Sequence, residues 1–186
     1  INMTLTKTPI CNFGETAKDF DLLSIEKKNV SLKDIRGENG TVIMFICNHC
    51  PYVKAIIDNV VSDVKFLKTI GIESVAIMSN DVKNYPEDSF ENMILFSKKY
   101  SFSFPYLIDE KQLIAKKYGA VCTPDIFGYN KNLELQYRGR IRELKNLKPM
   151  GDKESDLMKA MKLISKTNKG PKKQIPSMGC NIKWFK

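Results

Sequence analysis

The chain is poor in the residues that usually mark a catalytic centre: one histidine and one tryptophan in 186 residues. It has no apolar run near the roughly 18–20 residues a membrane helix needs, which excludes a helical span. Its start, INMTLTKTPICNFGE, has no apolar signal region, so nothing visible directs export and a cytoplasmic protein is expected. A leader trimmed from before residue 1 would leave the same text, so that alternative stays open. Five cysteines, at positions 11, 47, 50, 122 and 180, are too few and too scattered to staple a scaffold of this length.

Arginine is scarce where charge is densest. Of the net charge of +9, residues 145–186 supply most, with 11 lysines, 3 acids and no arginine. A nucleic-acid surface would interleave arginine with aromatics on a patch, so no nucleic-acid partner is expected; the lysines read as a solvated helix and tail. The hydrophobic fraction of 42% suffices for one ordinary domain.

Along the chain, KDFDLLSIEKKNVSLKDIRG alternates apolar and polar around KKN, a hairpin, with Gly37 closing a short turn. TVIMFIC (41–47) is a continuous apolar run, as in a strand covered on both faces. From Pro51 to Gly71 apolar residues recur at helical spacing, and ESVAIMS (73–79) is a second buried strand. That strand–helix–strand unit forces a parallel pair. YPEDSFENMILFSKKY predicts a helix with acids first and lysines last. FPYLIDE predicts a short strand, and KQLIAKKYG a short helix capped by Gly119. PDIFGYNKNLELQYRG is a second hairpin, and DKESDLMKAMKLISKT an amphipathic helix. The expectation is α/β: a central mixed β-sheet flanked by helices, with an N-terminal β-hairpin. The domain spans 1–167 with a helical insert at about 81–118, and 168–186 form a lysine-rich C-terminal tail packed on it. Phe90, Phe96, Phe102 and Phe104 read as packing residues of the insert.

The chemistry concentrates in VIMFICNHCPYVKAI (42–56), where the single histidine stands between two thiols. A helix starting at about Asn48 to Pro51 puts Cys47 at a strand end, against unpaired N–H groups and the positive end of a helix dipole. That field lowers a thiol's pKa, and His49 within the same turn would stabilise a Cys47 thiolate further. Cys50, three residues on, is placed to close a reducible disulfide, and Pro51 suits a first helical turn. CxxC disulfides span roughly −270 to −120 mV, and the histidine points to the oxidising half.

These residues, with GETAKDFDLLSIEKKNVSLKDIRG, YPEDSFENM, FPYLIDE, YGAVCTPDIF, LQYRGRI and the terminal GCNIKW, in this order, resemble the thioredoxin superfamily. The resemblance is to its peroxiredoxin-like branch, the alkyl hydroperoxide reductase/thiol-specific antioxidant group. It implies a thioredoxin-like fold, with Pro124 as a cis-proline that faces the active-site disulfide. Thr123 and Pro124 would then form the loop that receives extended substrate backbone. It departs from the family's peroxidases in having Cys47 where they have a threonine, three residues before the Cys-Pro at Cys50-Pro51. The peroxide-activating arginine's place is taken by Thr123-Pro124, although Arg138, Arg140 and Arg142 follow. Ile46 stands where thioredoxins have tryptophan.

The reading is a thiol–disulfide oxidoreductase with a redox-homeostasis, antioxidant role, working by mixed-disulfide exchange without cofactor or metal. Cys47 would be the attacking or attacked thiol, Cys50 the resolver and His49 the tuner. Cys122 and Cys180 are possible resolving thiols, and Cys11 is incidental. Partners would be protein or small-molecule thiols and disulfides and a reductant, with the protein a monomer or weak dimer. One alternative is a thiol peroxidase that passes through a sulfenic acid. A lesser one is a non-enzymatic zinc module using Cys47, His49, Cys50 and Cys122.

Overall fold

The structure, a computed structural model, describes residues 4–151 and 154–186. Its elements run β1 (Leu5–Lys7), β2 (Asp21–Ser24), β3 (Asn29–Ser31), β4 (Gly40–Phe45), α1 (Pro51–Thr69) and β5 (Ile72–Met78). A 3-10 turn (Pro86–Asp88) precedes α2 (Phe90–Lys99), β6 (Tyr106–Ile108) and α3 (Leu113–Tyr118). Then come β7 (Cys122–Thr123), β8 (Asp125–Tyr129), β9 (Leu135–Arg138), β10 (Leu144–Lys145), β11 (Lys148–Pro149), α4 (Asp156–Thr167) and β12 (Met178–Asn181).

The central sheet has the order β3-β2-β6-β5-β4-β8-β9. β4 pairs parallel with β5, and β5 with β6, whereas β2–β6, β4–β8 and β8–β9 are antiparallel. The apolar run of β4 is explained by cover on both faces. Val42, Met44 and Ile46 enter one core with α1, α2 and α4. Ile43 and Phe45 enter the other, with α3 and the N-terminal segment through Phe20 and Leu32. Each fully buried side chain of this kind contributes about 1.5–3 kcal/mol.

Local chemistry sets the ends. α1 starts at Pro51 with Cys50 as its N-cap, at the late end of the expected range from Asn48 to Pro51. The missing proline N–H costs nothing at that position. α3 ends at Gly119 in the left-handed region, φ 63°. The Ser155 side chain accepts from the Met158 amide and starts α4 at Asp156; the first two residues of the expected helix, 152 and 153, lie outside the described residues. Between its helices, the span 81–118 carries β6, a strand of the central sheet.

The segment after α4 does more than lie over the domain. β12 runs between β1 and β7, antiparallel to both, with Cys180 opposite Leu5 on one side and Thr123 on the other. Neither β1 nor β12 shows the apolar alternation that marks longer strands. Two contacts outside the ladder fix them: Ser177 Oγ donates to Pro124 O at 2.7 Å, and the Ser177 amide to Thr8 Oγ1 at 3.0 Å.

Candidate active site

β4 ends at Phe45, and the chain continues through Ile46 and Cys47 into the loop that becomes α1 at Cys50. Cys47 and Cys50 are both buried, at 1% and 0% exposure. Both sulfurs meet Thr123. Cys47 Sγ is 3.3 Å from Thr123 Oγ1, and Cys50 Sγ donates to Thr123 O at 3.1 Å. The Thr123–Pro124 peptide bond is cis. Among the described residues no two cysteines are joined in a disulfide.

The charge on the pair falls the other way from the sequence expectation. Full burial pushes the Cys47 thiol well above its ordinary value, reinforced by its contact with Cys50 and the nearby Asp88 carboxylate. Cys50 is the thiol that is lowered: the Cys180 and Cys47 thiols hydrogen-bond to it, and the backbone amides of Cys180 and Val53 add to them. It also stands at the N-cap of α1, where the dipole favours an anion. The reversal comes from the burial of Cys47 and from the hydrogen bonds that the Cys180 and Cys47 thiols bring to Cys50, the Cys180 thiol arriving from the far end of the chain. With its proton Cys50 donates to the Thr123 carbonyl; without it, its sulfur accepts from its thiol neighbours.

His49 is held by a residue that sequence reasoning did not single out. Asp88, 0% exposed, accepts from the Asn48 amide at 2.8 Å, the His49 amide at 3.3 Å and Asn80 Nδ2 at 2.8 Å. His49 Nδ1 lies 2.6 Å from Asp88 Oδ2, and the ring stacks on Tyr85 at 5.9 Å. The contact with Asp88 raises the histidine pKa above 6.5. Among the described residues Nε2 finds no hydrogen-bond partner. Asn48 is fixed in turn, its Oδ1 accepting from Tyr106 OH at 2.9 Å. The segment YPED signals a helix start, which is an ordinary use of an aspartate, so only its burial marks Asp88 out.

Cys47, His49 and Asp88 bring a sulfur, a ring nitrogen and a carboxylate oxygen within 4.8 Å of one another. This set differs from the one expected of a zinc module: Asp88 is in it, while Cys50 and Cys122 are not. All the hydrogen bonds to Asp88 already point at its carboxylate, so a cation would have to displace them.

The other predicted residues sort cleanly. Cys180 is buried against Cys50 as its hydrogen-bonding neighbour, and that contact together with burial raises its own pKa. Cys122 is buried too, but its Sγ turns to Pro124 O at 3.6 Å, and burial raises its pKa. Cys11 packs at the edge of the second core. No arginine among the described residues bonds to Cys50. Arg138 pairs with Asp125 at 2.8 Å, Arg140 with Asp156 at 2.6 Å, and Arg142 donates to Gly151 O at 2.6 Å. The edge of β7 that was expected to take substrate backbone is paired with the chain's own β12. Beside it opens a mostly apolar cleft of about 270 Å³, lined by Tyr52, Ile56, Pro124, Ile141 and Met178 among others.

Comparison with known proteins shows the family and the fold. The model of the AhpC/TSA family matches residues 13–144. An uncharacterized conserved protein from Geobacillus kaustophilus superposes with a TM-score of 0.94 at 36% identity, covering 100% of this chain and 98% of that one. The thioredoxin domain of a thiol-disulfide oxidoreductase, BVU-2223 from Bacteroides vulgatus, superposes with a TM-score of 0.58 at 12% identity. It covers 72% of this chain and 89% of that one, and shows that the fold is thioredoxin-like. The thiol-disulfide oxidoreductase ResA of Bacillus thuringiensis subsp. konkukian (strain 97-27) is 28% identical over 138 residues, 68% of this chain and 69% of the relative.

Proposed function

The chain belongs to the AhpC/TSA family, and we propose that within it the protein is a thiol–disulfide oxidoreductase that uses Cys47 and Cys50 as its redox pair, in a redox-homeostasis role. The observation that carries this is the convergence of both sulfurs on Thr123, one on its hydroxyl and one on its carbonyl, with Cys50 at the helix N-cap.

The roles follow from the electrostatics. The Cys50 thiolate attacks one sulfur of a partner's disulfide; a new Cys50–partner bond forms and the partner's other sulfur leaves as a thiolate. Cys47 then attacks Cys50 Sγ, the Cys47–Cys50 bond forms, and the partner's second thiolate departs. The proton of Cys47 passes to the leaving sulfur, with the His49–Asp88 pair close enough to carry it. The partner gains two electrons and the enzyme loses two. Because Cys47 has a raised pKa, it keeps its proton until that second step. The mostly apolar cleft beside Pro124 would seat the partner, and Cys50, fully buried next to the Pro124 loop, would be reached when β12 gives way.

A second reading, thiol peroxidase, draws on one specific feature: a lowered thiol in a Cys-Pro at a helix start. Against it stand Cys47 in place of a threonine and the engagement of Arg138, Arg140 and Arg142 elsewhere. Reduced protein mixed with one equivalent of glutathione disulfide, or of hydrogen peroxide, then trapped with an alkylating agent and mapped by mass spectrometry, separates the two. Rapid Cys47–Cys50 formation from the disulfide and slow reaction with peroxide is expected. A fast Cys50 sulfenate would reverse the assignment.

A further inference from the structure

Thiol–disulfide exchange needs a central sulfur with an attacking sulfur and a leaving sulfur as neighbours. Cys50 has such a pair. Cys47 and Cys180 are both its neighbours, and both thiols hydrogen-bond to its sulfur. The backbone explains why. β12 pairs antiparallel with β7 so that Cys180 stands opposite Thr123, whose carbonyl is 3.1 Å from Cys50 Sγ. Thr123 is therefore the common neighbour of all three residues, and Cys47, Cys50 and Cys180 belong to one core. Cys122 is excluded despite being next in the strand, because it stands opposite Asn181 and turns its sulfur to the Pro124 carbonyl.

We infer that Cys180 is a third redox thiol, which exchanges with Cys47 for the disulfide at Cys50, and that β12 serves as the chain's own substrate strand beside Thr123–Pro124. This rests on the redox pairing of Cys47 and Cys50 proposed above. Once a partner's disulfide has produced the Cys47–Cys50 bond, the Cys180 thiolate attacks Cys50 Sγ. The Cys50–Cys180 bond forms and the Cys47–Cys50 bond breaks. Cys47 leaves as a thiolate and takes up the proton that Cys180 gave away. No electron enters or leaves: the protein holds one disulfide before and after.

Burial does not obstruct this step. Cys180 is 4% exposed, which screens it from dissolved thiols, but its target is its immediate neighbour. A tethered thiol acts at an effective concentration in the millimolar range or above. The strand is also held firmly enough to present it. The Thr4 amide donates to Asn181 Oδ1 at 3.1 Å, the Ile182 amide to Val121 O at 3.2 Å and the Lys183 amide to Asn80 Oδ1 at 2.9 Å. When the disulfide sits at Cys50–Cys180, the freed thiol is Cys47, the one beside His49 and Asp88.

The test uses the full chain equilibrated in reduced and oxidised dithiothreitol at several ratios, quenched in acid, alkylated and digested with trypsin. Cys47 and Cys50 fall on one tryptic peptide and Cys180 on another, so a Cys50–Cys180 bond appears as a linked pair of peptides. The expected result is both disulfides in the wild type, in a proportion that stays constant as the dithiothreitol ratio changes, because their interconversion is redox-neutral. Cys47→Ser should form Cys50–Cys180 alone. Cys180 alkylated at every ratio, in a wild type that does form Cys47–Cys50, would overturn this inference and leave the redox pair standing. Absence of Cys47–Cys50 from both the wild type and Cys180→Ser would overturn the redox pair, and the inference with it.

Discussion

His49 Nδ1 sits 2.6 Å from Asp88 Oδ2, and that carboxylate is fully buried. The contact raises the histidine pKa in the fold above the 6.5 of the free side chain. Its contribution to stability is thus fully present below 6.5 and is lost as pH rises through the folded value. Since the chain has a single histidine, one imidazole resonance followed by NMR reads this directly. Asp88→Asn should bring the midpoint down toward 6.5 and flatten the dependence of the urea midpoint on pH in that window. An unchanged midpoint in the variant would show that Asp88 is not the cause.

The reduced protein should carry one thiolate at neutral pH, on Cys50. Its folded pKa is depressed, so it stabilises the fold above the unfolded thiol value, and that contribution fades as pH falls through the folded one. Thiolate ultraviolet absorbance at neutral pH should survive Cys47→Ser and disappear in Cys50→Ser. The opposite pattern would return the attacking role to Cys47.

Asp125 and Arg138 form an ion pair in the sheet, the carboxylate 0% exposed, with the guanidinium also over the Phe127 ring at 4.4 Å. Burial raises the Asp125 pKa and Arg138 opposes that. Asp125→Ala leaves a buried guanidinium without its partner and should cost about 3–5 kcal/mol in urea unfolding. A loss under about 1 kcal/mol would mean that Gly119 O, which also accepts from Arg138 at 2.8 Å, suffices to satisfy it.

Gly179 lets β12 approach β7. A Cβ there would meet Thr123 O at 2.0 Å and Pro124 Cδ at 3.1 Å, and the first of these is backbone that cannot turn aside. Gly179→Ala should cost about 1–3 kcal/mol as an overpacking change. It should also speed alkylation of Cys50 severalfold by prising the strand away, with competition kinetics as the readout. Unaltered Cys50 protection would show that β12 is not its cover.

Much of this was readable from the sequence where order is local. The β4–α1–β5 unit, both hairpins and the α3 cap follow from periodicity and from turn residues such as Gly119, and Cys50 and Pro51 mark the start of α1. What escaped was set by contacts between distant segments. β12 is short and polar at Met178–Asn181, and its pairing with β7 comes from Gly179 and the Ser177 anchor rather than from any pattern. Asp88 reads as an unremarkable helix-start acid until the fold turns it under His49. The assignment of the thiolate depended on Cys180, which reaches Cys50 from 130 residues away and gives no local signal.

The pairing of β12 with β1 and β7 has a consequence for biosynthesis. A ribosome delivers Cys47, Cys50 and the Thr123–Pro124 loop well before Met178–Asn181. The growing chain therefore passes through a stage in which the two paired thiols can meet Thr123 while the edge of β7 is bare. During that interval the nascent domain is an open dithiol with an unoccupied strand edge, a template for any extended segment nearby. Arrival of the last strand closes the edge and sets a third thiol against Cys50, so the newborn and finished proteins differ in chemistry as well as in length.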